Sequence, residues 1–408
     1  MFLITKVVFI AIIEYNKDIK YYLRSWSMSL IYQDVMEQLD IWLTMLIEAE
    51  GADLHIKSDS PIRARVKSDI VHLSKEVTKA ETIKALVKAL TGNAYETFKE
   101  TKEFDGAYRL DDKHRFRVNI FMHLGGFALA FRLIPSYIKT IEELNLPTPL
   151  HKLAHLRRGL VLVTGTTGSG KSTTLATIVE EINKTYNHHI ITIEDPIEYV
   201  HNDAKSIVEQ REIGSHTNGF AQALRAAMRE DPDIIVVGEI RDIATAESIL
   251  QAVNTGHLVF STVHTLDARE TIDRLIAIFP TNEQNRVRAT LAATLEAVIS
   301  QRLIKGISGD MVPAVEMMFR SPQIQELIRS KRDNEITDAI EKEGIMFDSI
   351  TFNRALFDLT LADKITEDQA YQYASSPADL KLMFTMSKEY EEKVYGNKEE
   401  DDLSLKDS

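Results

Sequence analysis

The sequence predicts an α/β protein built around a parallel sheet that helices cover on both faces. After Pro149, short and nearly unbroken apolar runs recur along the chain. Helical patterns that begin near Ser172, Gly219, Ile243 and Asp267 separate these runs. Unbroken apolar runs that alternate with helices are typical of parallel strands buried on both faces. The runs comprise residues 160–164, 189–194, 233–239, 257–263 and 312–318.

Before Pro149 the pattern is that of a smaller α+β domain. Apolar residues at helical spacing over 29–50 predict a helix that Gly51 ends. A second helix is predicted over 79–90. Apolar and polar residues alternate in three further segments, which predicts half-buried strands. These segments are 52–56, 61–66 and a hairpin over 116–134 that turns at Gly125-Gly126.

The ends of the chain differ from its middle. The apolar run from Val7 to Ile13 is shorter than the ~20 residues of a membrane-spanning helix. We interpret it as translated from an upstream start, with Met28 as the natural one; the alternative is an added strand or helix of the first domain. The polar, acidic C-terminus is typical of a disordered tail. We therefore predict an uncertain extension (1–27), the α+β domain (28–135), a linker (136–149), the α/β core (150–320), a helical C-terminal part (321–385) and the tail (386–408).

The composition excludes several classes of function. A net charge of −13 argues against a protein whose main partner is nucleic acid. The chain has no cysteine, which excludes disulfides, thiolate zinc sites, iron–sulfur centres and cysteine nucleophiles. No later segment approaches the length of a membrane span, so we expect a cytoplasmic protein.

A glycine-rich loop supplies the strongest signal of chemistry. It follows an apolar strand and opens a helix, as a phosphate-binding loop requires. Its glycines allow a tight turn whose N–H groups point at phosphate oxygens. In this pattern, Lys171 reaches the β- and γ-phosphates and the Ser172 hydroxyl binds Mg²⁺. The predicted nucleotide-binding residues are Gly165, Thr166, Thr167, Gly168, Ser169, Gly170, Lys171, Ser172 and Thr173.

Two acidic residues end predicted strands and therefore lie along the edge where ligands bind in open α/β sheets. Glu194 follows one apolar run, and Glu239 follows another at the Walker-B position. Gly238 stands where many nucleotide hydrolases carry Asp. We therefore expect Glu239 to hold Mg²⁺ through water and not directly.

Two histidines mark the run 257–263: His257 begins it and His264 follows it. If this run is a strand, they lie at its opposite ends, roughly 23 Å apart at ~3.3 Å per residue, which argues against a shared metal. We expect His264, at the carboxyl end, to sense the γ-phosphate. His257 is expected to order the start of the strand or a subunit contact.

Four motifs together resemble those of the secretion ATPase superfamily, whose members drive type II and type IV secretion and type IV pili. They are GTTGSGKST (165–173), ITIEDPIEYVH (191–201), DPDIIVVGEIRD (231–242) and TGHLVFSTVHT (255–265). The similarity runs from about Asp53 to Leu382. It implies a RecA-like P-loop ATPase core, a smaller PAS-like N-terminal α+β domain and a helical C-terminal extension.

The resemblance also implies roles for individual residues. Glu194 would polarise the attacking water, Glu239 would be the Walker-B acid, and His257 and His264 would form the "His box". Arg117 and Arg132 would act as arginine fingers toward a neighbouring subunit's nucleotide; the alternative is that they make ordinary surface ion pairs. ATP and Mg²⁺ are the implied substrate and ion. The implied assembly is a homohexamer that works with an inner-membrane pilus platform protein, at the inner face of the membrane and not inserted in it.

Within the superfamily, the chain is most similar to the type that retracts pili in twitching motility. Pilus assembly and type II secretion ATPases commonly carry a longer N-terminal region and a four-cysteine zinc module, and this chain has no cysteine. The segment SPQIQELIR (321–329) matches the retraction pattern only in part. Assembly, type II secretion and accessory retraction ATPases therefore stay as alternatives.

Two functions of another class are also compatible with a phosphate loop. A RecA-like translocase would move nucleic acid, but the net charge of −13 and the lack of an aromatic–basic strip argue against it. A regulatory protein would bind nucleotide with little hydrolysis, but the two glutamates and the histidine pair argue against that.

Overall fold

The computed structural model describes residues 17–66, 69–111, 114–135 and 137–387, with side chains from Gln33 onward except that of Ile345. The start of the predicted extension (1–16) and the tail from residue 388 lie outside these residues. The chain divides into two compact units, Met1–Ser136 and Tyr137–Ser408. Across the described residues, no helix is long and apolar enough to cross a membrane.

The first unit is an antiparallel sheet with helices. Its strands are β1 (Gly51–Lys57), β2 (Ser60–Val66), β3 (Asp69–Thr78), β4 (Glu103–Arg109), β5 (Arg115–His123) and β6 (Gly126–Ile134), in the order β3-β2-β1-β6-β5-β4. Its helices are α1 (Lys17–Glu48), α2 (Ala80–Thr91) and α3 (Tyr95–Thr101). Alternate strand residues such as Leu54, Phe116 and Phe131 pack with Leu43 in one buried core. Because apolar and polar residues alternate along each strand, one face of this sheet is apolar and packs against the helices.

Two predicted boundaries of this unit, the end of the first helix and the hairpin turn, were wrong by one or more residues. The first helix ends at Glu48, and Glu50 takes the left-handed conformation (φ 52°). Gly51 does not end the helix but begins β1, where a Cβ would lie 2.4 Å from Leu46 Cδ1. The hairpin turns at Leu124-Gly125, because His123 already pairs with Gly126.

Some elements of the first unit were not predicted. They are β3, β4 and α3. Strand β3 is an edge strand with exposed apolar residues, and β4 alternates around Gly106, so neither carries the apolar run that marks a buried strand.

The second unit contains a seven-stranded sheet. Its strands are β7 (Gly159–Thr164), β8 (His189–Glu194), β9 (Ile207–Glu212), β10 (Ile234–Val237), β11 (Leu258–Val263), β12 (Leu295–Lys305) and β13 (Met311–Phe319), in the order β13-β12-β7-β11-β10-β8-β9. All neighbours are parallel except β12 and β13. The predicted parallel sheet is confirmed for its centre, but the run 312–318 lies in an antiparallel edge strand.

Helices surround this sheet and extend it at the C-terminus. They are α4 (Lys171–Thr185), α5 (Phe220–Ala227), α6 (Ile243–Asn254), α7 (Ala268–Ala277), α8 (Gln284–Thr294), α9 (Pro322–Arg329), α10 (Ile336–Phe347), α11 (Phe352–Leu361), α12 (Glu367–Tyr373) and α13 (Pro377–Met386). Short polar side chains begin several of them: Asp242 accepts a hydrogen bond from the Thr245 N–H, and Asp267 accepts one from the Glu270 N–H. Such caps satisfy backbone donors that the first helical turn leaves unpaired.

Two apolar cores lie on opposite faces of the sheet. Leu160 and Leu162 belong to one core, whereas Val161 and Val163 belong to the other. Because successive side chains of a strand point to opposite faces, a strand covered on both sides must be apolar at every position. This explains the unbroken apolar runs of the sequence.

Within the predicted linker, the described residues 137–147 form no helix or strand. A 3₁₀ helix (Thr148–His155) then leads to β7. Ile141 and Leu146 are buried in the core of the second unit, and the Thr177 hydroxyl donates a hydrogen bond of 2.8 Å to the Lys139 carbonyl. These residues are therefore packed within the second unit. The domain limits given above stay predictions.

Candidate functional site

The site lies at the carboxyl ends of four adjacent strands, β7, β11, β10 and β8. Their continuations carry the phosphate loop, His264, Glu239 and Glu194, respectively. A cavity of about 660 Å³ opens there. It is lined by Lys171, Ser172, Glu194, Glu239 and His264, among others. Residues predicted from four separate motifs thus share one cavity.

The phosphate loop turns through three glycines of positive φ. These are Gly165 (145°), Gly168 (79°) and Gly170 (87°), in the loop that joins β7 to α4. Such backbone conformations strain a residue that has a Cβ. The Lys171 ammonium donates hydrogen bonds to the carbonyls of Gly165 (2.8 Å) and Thr166 (2.9 Å). Its charge is thereby held inside the loop, at the positive end of α4.

Strand β12 forms one wall of the phosphate loop through Gln301. The Thr174 hydroxyl donates a hydrogen bond of 2.6 Å to Gln301 Oε1. A Cβ on Gly165 would lie 2.4 Å from the Gln301 carbonyl oxygen, and one on Gly170 would lie 2.8 Å from Gln301 Nε2. Gly165 and Gly170 therefore serve close packing as well as a turn.

Glu194 is held by two donors on the same oxygen. The Thr192 hydroxyl (2.6 Å) and Gln210 Nε2 (3.0 Å) both donate hydrogen bonds to Glu194 Oε1. Burial raises the pKa of Glu194 above its usual value, and the hydrogen bonds from Thr192 and Gln210 oppose that rise. The site thus contains a carboxylate whose protonation is easier than that of an exposed glutamate.

Gln210 also fixes the segment that follows Glu194. Its Nε2 donates a hydrogen bond of 2.8 Å to the Tyr199 carbonyl, and its Oε1 accepts one of 2.8 Å from the His201 N–H. Next to it, His201 is buried against Glu180 on α4, at 2.8 Å. Burial favours the neutral form of Glu180, but hydrogen bonds from His201 and Lys184 outweigh it and hold the pKa of Glu180 at about 2.

Glu239 is surrounded by positive or potentially positive groups. Arg241 forms an ion pair with it and also lies 3.6 Å from Asp195 Oδ2. His264 Nε2 is 3.5 Å from Glu239 Oε2, and about half of the His264 side chain is exposed to the cavity and solvent. The Glu239 carboxylate therefore contacts both Arg241 and His264.

The donor set fits a magnesium ion bound together with phosphates. Mg²⁺ in nucleotide sites takes one or two protein oxygens and completes its shell with phosphate oxygens and water. The Ser172 hydroxyl and the carboxylates of Glu194 and Glu239 line the same cavity. Among the residues that the structure describes, no group of three or more His, Cys, Asp or Glu side chains is placed to hold a metal ion by itself, so phosphate oxygens would complete the shell.

His257 lies away from these residues. The strand β11 separates it from His264, as the sequence predicts. Its Nδ1 contacts the Thr255 hydroxyl (3.0 Å) and the Ala252 carbonyl (3.1 Å), and its own carbonyl accepts the Gly159 N–H at 3.1 Å. These contacts order the entry of β11, and His257 is not among the residues lining the cavity.

Arg117 and Arg132 belong to the first unit. They face each other across the β5–β6 pair on the exposed side of the sheet. Arg117 lies 3.7 Å from Asp105, and Arg132 Nε donates a hydrogen bond of 2.7 Å to Asp53, which is buried. Within their unit, both arginines are thus paired with acids, as the ion-pair alternative expects.

Sequence reasoning missed several members of the site. Gln210 lies in β9 and Gln301 in β12, and neither strand was predicted. Thr192 and Arg241 were included in quoted motifs, but no role was assigned to either. Thr192 and Arg241 each lie two residues from a predicted acid, Glu194 and Glu239, so their position could have pointed to them. Gln210 and Gln301 lie inside strands and offered no such signal.

Comparison with known proteins gives a consistent result. A profile of the family described as "Type II/IV secretion system protein" matches residues 32–342. The type IV pilus retraction ATPase PilT of Pseudomonas aeruginosa is 42% identical over 328 residues, which are 80% of this chain and 95% of that protein. A twitching motility protein of Neisseria gonorrhoeae is 41% identical over 305 residues, 74% of this chain and 81% of that protein. A crystal structure of the pilus retraction motor PilT with bound ADP has a TM-score of 0.78 and 40% identity, and covers 83% of this chain and 97% of that one.

Proposed function

Because this chain belongs to the type II/IV secretion system protein family, we propose that it is an ATP-hydrolysing motor that powers the retraction of type IV pili. The observation that carries the proposal is the single cavity shared by Lys171, Glu194, Glu239 and His264. The relatives that support retraction are a pilus retraction ATPase and a twitching motility protein.

In the proposed reaction, the phosphate loop binds the nucleotide and Glu194 acts on the attacking water. Phosphoryl transfer depends mainly on positioning and on positive charge near the transferred group. Lys171 supplies that charge once its contacts with the loop carbonyls give way to phosphate oxygens. Glu194 accepts or orients the water's proton, and the donors Thr192 and Gln210 favour its ionised form.

Ser172 would hold Mg²⁺ directly and Glu239 would hold it through water; when bound, the ion would neutralise charge on the phosphates. His264, beside Glu239, would sense the γ-phosphate. His257 would serve the entry of β11 or a contact between subunits.

We further propose that six copies form a ring at the inner face of the cytoplasmic membrane, where they act on a platform protein of the pilus machine. In such a ring, Arg117 and Arg132 would reach a neighbouring subunit's nucleotide as fingers. A finger supplied by another subunit couples hydrolysis to movement between subunits. Reaching a nucleotide would require Arg132 to exchange its hydrogen bond with Asp53 for one with phosphate.

Two substitutions test the nucleotide chemistry in the full chain. Glu194→Gln keeps the size of the side chain but removes the base, so ATP binding should persist while turnover is lost. Lys171→Ala should lose ATP binding as well. Glu209→Gln is the matched control, because Glu209 lies on neighbouring β9 with an exposed side chain. Wild-type turnover by the Glu194→Gln ring would refute the proposed base, and unchanged ATP affinity of Lys171→Ala would refute the phosphate loop.

The direction of the motor is tested in the cell. A clean deletion should leave cells with surface pili that do not twitch, and a Glu194→Gln allele should give the same phenotype. A strain without pili would instead show that the protein assembles the fibre. If the deletion strain twitches like the wild type, the protein is an accessory retraction ATPase and not the main motor.

A further inference from the structure

The loop that follows β11 is held by two side chains from β12 and β13. One is Glu316 of β13, a buried carboxylate. Its Oε1 accepts a hydrogen bond of 2.9 Å from the N–H of Ala268, the first residue of α7. Because Ala268 closes the segment that begins with His264, this bond fixes the far end of the loop that carries His264.

Glu316 also holds a second helix. Its Oε2 lies 3.4 Å from the N–H of Phe352, the first residue of α11. One carboxylate therefore accepts from the N-termini of two helices, one on the nucleotide side and one in the C-terminal part. The partial positive charge of both helix ends stabilises the ionised carboxylate.

Arg302 of β12 repeats this arrangement. Its guanidinium donates to the Leu266 carbonyl (3.5 Å), in the middle of the same loop. It also donates to the Tyr373 carbonyl and to the Ser375 hydroxyl (3.4 Å), at the end of α12. Arg302 stacks on the Phe352 ring, 3.9 Å from its centre. Each of the two side chains thus contacts both the His264 loop and the C-terminal helices.

We propose that Glu316 and Arg302 are positioning residues that couple the C-terminal helices to ATP turnover by holding the His264 loop in place. The inference rests on the proposed function, in which His264 acts at the nucleotide. It assigns the helical part a role in setting the rate of hydrolysis. A shift of α11 or α12 would move the loop through the buried Glu316 contact and the more exposed Arg302 contact, without touching the phosphate loop itself.

The charge of Glu316 adds a pH dependence to this coupling. Burial raises the pKa of Glu316 to about 7; Asp267 at the start of α7 adds to the rise, while the Ala268 and Phe352 N–H groups and Arg302 of β12 oppose it. A carboxyl group that gains a proton has one oxygen that donates, so it no longer accepts from both helices. The loop is therefore held most firmly above that pH, and turnover should rise with pH through about 7.

The variant Glu316→Gln tests the proposal in the full chain. An amide accepts from only one of the two N–H groups and sets its own NH₂ against the other. We expect the Kd for ATP to stay within about twofold and kcat to fall roughly tenfold, since a tenfold rate change needs only one lost interaction of ordinary strength. Amide hydrogen exchange should quicken in 265–271 and in 352–358 together. Turnover of the variant should rise less steeply through about pH 7 than that of the wild type, because only the contribution of Glu316 is removed.

Asp358→Asn is the control, because Asp358 lies on the same helix α11 but makes only a surface ion pair with Arg354. If Glu316→Gln does not fold, as judged by its thermal unfolding, Arg302→Lys takes its place: it keeps the charge but loses the fork that spans the loop and the Tyr373 segment. We expect the same fall in kcat, with faster exchange in 265–271 and in 373–376, the two segments that Arg302 holds. Unchanged kcat, or faster exchange in only one of the two segments, would overturn the proposal. A wild-type chain that binds but does not hydrolyse ATP would instead overturn the proposed function.

Discussion

Replacing Thr192 by valine should shift the pH dependence of ATP hydrolysis toward alkaline pH. Thr192 is buried in β8, and its hydroxyl donates a hydrogen bond of 2.6 Å to Glu194 Oε1. Valine has nearly the same shape but no donor. Glu194 then keeps only the Gln210 hydrogen bond on that oxygen, so its ionised form loses support and the pKa of Glu194 rises further.

The size of the effect follows from the strength of one hydrogen bond to a charged group, about 1.5–3 kcal/mol. At 1.36 kcal/mol per factor of ten, this disfavours the ionised carboxylate roughly ten- to a hundredfold. If the ionised form of Glu194 is the active one, turnover at the acid end of the profile should fall by that factor. At sufficiently alkaline pH it should recover, because the carboxylate is then ionised in both proteins.

The assay is kcat at saturating ATP as a function of pH, followed to the acid and alkaline limits at which the protein stays folded. Thr192→Ser, which keeps the hydroxyl, is the control and should retain the wild-type profile. A Thr192→Val profile that coincides with the wild type would refute the role of Glu194 as the base. A uniform loss of activity at every pH would show that the hydroxyl supports the strand and not the ionisation of Glu194.

Two further predictions concern the phosphate loop and the helical part. Gly170→Ala should weaken ATP binding by about tenfold or more. An alanine at this positive φ costs about 1–2 kcal/mol, and its Cβ would also collide with Gln301 Nε2. Gly214→Ala is the control, since Gly214 has a similar φ of 85° but a Cβ there would meet no atom within 4 Å. Both variants are titrated with nucleotide, and equal ATP affinity would contradict the close-packing argument. Arg288→Met should lower the free energy of unfolding by about 3–5 kcal/mol, because it leaves buried Asp333 without the guanidinium 2.6 Å away. Denaturant unfolding measures this loss, and a loss no larger than that of exposed Arg329→Met would rule out the stabilising role of the pair.

The centre of the sheet could be predicted from the sequence because the apolar pattern that marks each strand lies within that strand's own residues. β7, β8, β10 and β11 are rich in apolar residues, and most of these belong to one of the two cores. The loops at their ends carried recognisable chemistry, so the cavity residues Lys171, Glu194, Glu239 and His264 could be named in advance. Their meeting in one cavity follows from the parallel order of these strands.

Strand β12 could not be predicted for the opposite reason. Ser300, Gln301 and Arg302 interrupt its apolar pattern. All three form hydrogen bonds with groups distant in sequence. Ser300 bonds to the Thr164 hydroxyl (3.0 Å) and Gln301 to the Thr174 hydroxyl. Arg302 donates to the carbonyls of Leu266 and Tyr373. A buried polar residue looks like a loop residue until its partner is known. The residues that connect the site to the rest of the unit were therefore the ones that sequence patterns missed.

The place of β12 in the sheet has a consequence for the synthesis of this protein. The phosphate-loop strand β7 lies between β11 and β12, and Leu160 pairs with Leu295. While the chain is still growing on the ribosome, one edge of β7 stays unpaired until residues 295–300 have emerged, and the loop lacks the wall that Gln301 provides. The phosphate loop therefore gains its Gln301 contacts only late in synthesis. A fragment that ends before residue 295 exposes an apolar strand edge, which invites aggregation or capture by a chaperone.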